Sequence, residues 1–123
     1  MQVTDPKTIA LRFNFCINTR DIQGLEHLMA NNHVFIDSAG NVQIGKLACL
    51  SIWEEFFKMF PDYKNVFSTI RIRDNIIIMM GYSSCSDPRL DGPAIWSANI
   101  QNGKVEEWHV YEDTPLIRLE LGI

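Results

Sequence analysis

The chain lacks an excess of basic charge: 11 Lys plus Arg stand against 15 Asp plus Glu, a formal net charge of −4, with the signs scattered along 123 residues. A protein that tracks phosphates needs a basic face, and none is visible, which argues against a nucleic-acid partner. Cysteine is scarce as well. Cys16, Cys49 and Cys85 are an odd number with no CxxC pair, so no disulfide framework is implied. Long apolar runs are missing too, since the longest, Ile76 to Met80, falls far short of the ~20 residues of a membrane span. The opening Met-Gln-Val-Thr-Asp-Pro-Lys has no basic stretch followed by an apolar run, as a secretory signal would. A reduced cytoplasmic protein without membrane association is therefore expected. The His residues are dispersed, HExxH is absent, and neither a GxGxxG nor a phosphate loop occurs, so no metal and no cofactor are expected.

What is present is an ordinary globular composition, 46% apolar and 21% charged, of a length that makes one domain over residues 1–123. Thr4-Asp5-Pro6 reads as a helix start, followed by Ile9, Phe13, Cys16 and Ile17 at helical spacing. Asp21 can cap a second helix carrying Ile22, Leu25, Leu28 and Met29, with Asn31-Asn32 to end it. A short strand over 33–37, a turn, and a short extended piece at 42–44 precede a long third helix over 46–60, stopped by Pro61-Asp62. Strands are then predicted at 65–73, 76–84, 94–101 and 105–112, with Asp74-Asn75 and Asn102-Gly103 as hairpin turns and a short helical turn at 115–121. Three helices followed by a meander argue α+β, with helices covering one face of an antiparallel sheet.

The order of these elements carries recurrent residues. They are Asn18-Thr19-Arg20-Asp21 before helix two, Asp37-Ser38-Ala39-Gly40 after strand one and Gly45-Lys46 opening helix three. Phe56-Phe57, Phe60-Pro61-Asp62-Tyr63, Gly92-Pro93-Ala94 with Trp96, and Gly103-Lys104-Val105 with Trp108 complete the set. Over nearly its whole length the chain resembles the nuclear transport factor 2-like superfamily, in its polyketide-cyclase-like (SnoaL-like) branch. The resemblance implies a cystatin-like roll: a curved antiparallel sheet wrapped around a long helix, forming a cone with an apolar interior pocket. Members include cyclases, ketosteroid isomerase, epoxide hydrolases, dehydratases and non-catalytic modules, so the fold alone does not set a function.

By that resemblance Asp37 stands where ketosteroid isomerase places its general base, and a carboxylate in an apolar cavity suits proton abstraction beside a carbonyl. The residues themselves leave a second role open, because Asp37-Ser38-Ala39-Gly40 is also a turn that Asp can tie off. The isomerase's oxyanion donors fall at Phe13, which donates nothing, and Trp96, whose indole N–H only donates. An epoxide hydrolase's acid falls at Val110. Trp108, Val110 and Glu112 share one strand face, the pocket side by resemblance, which offers Glu112 either as a second acid or base or as a solvated strand end. His109 and Tyr111 then face outward, onto the surface that family members use to form homodimers. His33 lies on the Asp37 side of its strand, but about 13 Å away, too far for a dyad. Phe13, Trp53, Phe57, Trp96 and Trp108 are the candidate aromatic lining for a small, flat apolar or aromatic ligand, the alternative being plain core, favoured for Phe57. Arg89 sits in a loop that could rim the pocket. Two functions stand together at this point: a cyclase- or isomerase-type enzyme with Asp37 as base, or a non-catalytic ligand-binding or protein-interaction module.

Overall fold

The computed structural model describes residues 5–123. Thr4, read with Asp5 as the first helix start, lies outside them. α1 (Pro6–Thr19) is capped by Asp5, whose carboxylate accepts from the Thr8 amide at 3.1 Å, and Pro6 occupies the first turn where a missing N–H costs nothing. It ends at Arg20 in the left-handed region, φ 55°. α2 (Ile22–Leu28) is capped in the same manner by Asp21.

Strand β1 (Met29–Ile36) follows α2 with no intervening loop. Met29, expected on the second helix, and Asn31-Asn32, expected to end it, are strand residues instead. The reason is tertiary: Met29 pairs with Val105 and is buried in the core, which overrides the local helical pattern. Next come β2 (Val42–Ile44), α3 (Lys46–Met59), β3 (Lys64–Arg73), β4 (Ile76–Ser84), a 3-10 turn at Pro88–Leu90, β5 (Gly92–Gln101), β6 (Lys104–Glu112) and α4 (Pro115–Leu121).

These strands form one curved sheet in the order β2-β1-β6-β5-β4-β3. Four of its pairings are antiparallel, but β1 and β6 run parallel, so the sheet is mixed where an antiparallel one was expected. The long excursion through α3 and four strands brings the chain back beside β1 in the same direction, a connection long enough for a parallel pair. Register shifts in β1, between Phe67 and Thr69, and between Asn99 and Ile100 mark the bulges that bend it.

α1 lies in the concave face, packing Ile9, Phe13 and Ile17 among Ile77, Met79, Trp96, Ala98 and Trp108. The convex face has its own cover, contrary to the expectation of helices on one side only. Ile117 and Leu121 of α4, with Ile123, pack on Ile78, Met80 and Ile95, whose side chains alternate away from the main core. Arg73 fastens this end of the chain by donating to the carbonyls of Leu121 at 2.7 Å and Gly122 at 2.5 Å. Among the described residues no helix is long and apolar enough to cross a membrane.

Candidate functional site

The open end of the cone holds two adjoining hollows. The first, of about 110 Å³, is lined by Phe35, Asp37 and Ser38 at the end of β1, Ile52, Trp53 and Phe56 on one face of α3, and Tyr63, Leu90 and Val110. The spacing of Ile52, Trp53 and Phe56 places them together at one side of the helix, as helical periodicity requires. Trp53 is the centre of an aromatic group, with Phe35 at 5.3 Å, Phe56 edge-on at 5.6 Å and Phe57 at 5.6 Å. The second hollow, of about 150 Å³, shares Ser38, Tyr63, Leu90 and Val110 with the first, and adds Ser83, Arg89, Asp91 to Ala94, Tyr111 and Glu112. Leu90 therefore stands in the wall between an apolar chamber and a more polar one.

Asp37 is on the wall of the apolar hollow, and its carboxylate is also engaged in its own turn. Oδ1 accepts from the amides of Ala39 and Asn41, both at 2.9 Å, and Oδ2 accepts from the Asn41 side chain at 3.0 Å. A carboxylate offers about four lone-pair sites, so these bonds occupy most of them. Gly40, at φ 85°, gives the turn the left-handed residue it requires. On the outer side, the charge of Asp37 acts on His109, supporting its protonated form while burial pulls the imidazole below its ordinary value. His109 stacks on Tyr111 at 3.7 Å, and the Tyr111 hydroxyl meets Ser97 Oγ at 3.0 Å.

Of the aromatic residues singled out, Trp53 is in the hollow and Phe57 backs it. Phe13, Trp96 and Trp108 are fully buried side chains elsewhere in the cone. Phe13 packs against Trp108 at 4.7 Å, and Trp96 against Phe67 at 5.0 Å. Glu112 is exposed, on the rim of the second hollow. Arg89 is on that rim too, bonded to Asp87 at 2.6 Å, which holds the Asp87 carboxyl down at about 2.

Tyr63 and Leu90 were not singled out from the sequence. Both owe their positions to loops. Tyr63 follows the Pro61-Asp62 stop of α3, and this segment is clamped: the Arg20 guanidinium donates to the Pro61 carbonyl, and Asp62 accepts from the Ser86 amide at 2.9 Å. Leu90 is held through its carbonyl, which accepts from the Ser83 hydroxyl at 2.7 Å. Burial pushes the Tyr63 phenol up to about 12, against the opposite pull of Asn65, Ser83 and Trp96 beside it. Its proton is thus retained at neutral pH. Among the described residues no cluster of three or more His, Cys, Asp or Glu is placed to hold a metal ion.

No family model and no curated protein matches the chain. Solved structures do. An NTF2-like protein of unknown function from Cytophaga hutchinsonii superposes with a TM-score of 0.74 at 17% identity, over 100% of this chain and 98% of that one. A protein described as a SnoaL-like polyketide cyclase from Shewanella denitrificans gives a TM-score of 0.77 at 13% identity, over 95% and 96% of the two chains. An uncharacterised cystatin-fold protein from Novosphingobium aromaticivorans gives 0.75 at 14%, over 89% and 98%. At such identities the likeness speaks to architecture alone: the fold of this chain is similar to that of the NTF2-like, SnoaL-like and cystatin-fold structures it superposes on.

Proposed function

We propose that this protein binds a small apolar or aromatic molecule in the hollow between α3 and the ends of β1 and β6. The observation that carries the reading is the hollow itself: about 110 Å³ walled largely by Phe35, Ile52, Trp53, Phe56, Leu90 and Val110. Binding sites for small molecules are concave and mostly apolar with a few placed polar groups, and Asp37, Ser38 and Tyr63 supply those here. A dry apolar cavity of about 150 Å³ accepts benzene, which sets the scale of guest as one ring unless Leu90 yields. The same reading takes the protein as a homodimer through the part of the outer sheet face that α4 leaves open.

Titration with benzene, followed by NMR at the three indole N–H groups, tests the reading. The Trp53 resonance is expected to move saturably while those of Trp96 and Trp108 stay in place, and Ile52→Phe, which fills the hollow, is expected to abolish the response. Absence of any saturable change at Trp53 in the wild type would remove the proposal.

A second reading makes Asp37 a general base on a carbonyl ligand, and it draws on the position of the carboxylate in the wall. The turn bonds of Asp37 favour plain binding instead. Exchange of the α-protons of acetophenone into deuterated water separates the two. Acceleration by the wild type that Asp37→Asn loses supports the base; exchange at the uncatalysed rate supports binding alone.

A further inference from the structure

The second hollow differs from the first in the charge that its walls leave unmatched. Three charged side chains line it: Arg89, Asp91 and Glu112. Arg89 is already paired, its Nε and Nη2 donating to the two oxygens of Asp87 at 3.1 and 2.6 Å. Asp91 accepts at both of its oxygens, from the Cys85 amide and the Tyr82 hydroxyl, each at 3.1 Å. The Glu112 carboxylate is exposed and forms no ion pair among the described residues.

The donors of this chamber are spent in the same way. The Ser83 hydroxyl gives its proton to the Leu90 carbonyl at 2.7 Å, the Tyr111 hydroxyl pairs with Ser97 at 3.0 Å, and Pro93 has no N–H. The Ser38 and Tyr63 hydroxyls serve either sign, since a hydroxyl accepts as well as donates. An anion entering the chamber meets a carboxylate with no unmatched cation in the wall to hold it. A cation finds its counter-charge in place.

The two chambers share Ser38, Tyr63, Leu90 and Val110. Glu112 lies two residues beyond Val110 on β6, on the same side of the strand and about 7 Å further along it. A ring held against Trp53, Phe56 and Val110 therefore brings a group two carbons away beside Glu112.

We propose that the molecule bound here is an aryl-alkyl ammonium, with its ring in the apolar hollow and its cationic end in the second hollow against Glu112. The inference rests on the apolar hollow being a binding site and names the class of molecule that fills it. The ring supplies most of the affinity by leaving water, and Glu112 selects among aromatic guests by charge.

Phenethylammonium, 2-phenylethanol and 3-phenylpropionate carry the same ring and spacer and differ in the charge at the end. Each is titrated against the Trp53 indole N–H resonance at neutral pH. A solvent-exposed ion pair contributes modestly, so the ammonium is expected to bind roughly twofold to fivefold more tightly than the alcohol, and the carboxylate more weakly than either. Glu112→Gln, a change at an exposed position, should bring the ammonium and the alcohol to equal affinity. Raising the ionic strength from about 0.01 to 1 M, which shortens the screening length from about 30 to 3 Å, should do the same in the wild type. Equal affinities in the wild type at low salt, tighter binding of the carboxylate, or a preference for the ammonium that survives in Glu112→Gln overturns the inference. If the alcohol saturates the Trp53 signal and the ammonium gains nothing over it, the hollow stands as a site and only the ligand class fails. If none of the three moves Trp53, both readings fail together.

Discussion

At position 33 the chain buries a group that water would rather charge. His33 is fully buried, its Nδ1 bonds the Val105 carbonyl at 2.7 Å, and its Nε2 has no partner among the described residues. Desolvation pulls its pKa below the ordinary 6.5, and the bond to Val105 only partly opposes this. The unfolded chain therefore binds more protons than the folded one once pH drops below about 6.5. Stability is complete above that pH and is lost as pH falls through it. His109 acts in the same direction, through burial offset by the charge of Asp37. Thermal unfolding midpoints are expected to drop between pH 7.5 and 5.5. His33→Asn, which keeps a donor for Val105 but does not titrate, should flatten that drop. Equal slopes in the two proteins would count against a buried neutral imidazole. Asp37 illustrates what could be read at this scale. Its place after the first strand was legible, and so was its competence to close a turn, because both depend on neighbours within four residues. The side chain's bonding pattern required the folded loop.

Between strands, β3 and β4 approach so closely at Gly81 that no side chain fits. A Cβ there would lie 1.9 Å from the Val66 carbonyl oxygen, a backbone atom that cannot swing aside. The bulge after Phe67 is the cause, since Phe67 faces Gly81 and Thr69 already faces Met80. Gly81→Ala is expected to cost about 2 kcal/mol or more, and to lower Tm by roughly 8 °C, as calorimetry would read directly. An unchanged midpoint would mean the two strands part freely. The hairpins were visible in advance because Asp74 and Asn102 take φ of 54° and 52°, conformations that a two-residue turn demands of its own residues. The start of β1 and its parallel pairing with β6 were not, because Met29 meets Val105 across most of the chain. The same distinction runs through the hollow. Trp53 follows from helical spacing, whereas Tyr63 and Leu90 arrive by loops whose path no periodicity describes.

For the molecule as a whole, α4 closes much of the convex face over Ile78, Met80 and Ile95. Val66, 63% exposed, and Tyr82, 47% exposed, remain uncovered beside it, paired across β3 and β4. Apolar area left open on a sheet is a surface for association. Sedimentation equilibrium is expected to give twice the single-chain mass, and Val66→Glu with Tyr82→Glu to return it to one chain. A wild-type mass of one chain would place the homodimer out of consideration. The division of labour within the cone has a further outcome. Its frame rests on α1 and the sheet, while one of the four residues shared by the two chambers, Leu90, is carried on a surface segment anchored by Ser83 and Asp91. Surface segments accept exchange of residues far more readily than packed frames do. On the binding reading proposed above, substitutions near Leu90 would reshape the space between the chambers without touching the packing of α1 on the sheet.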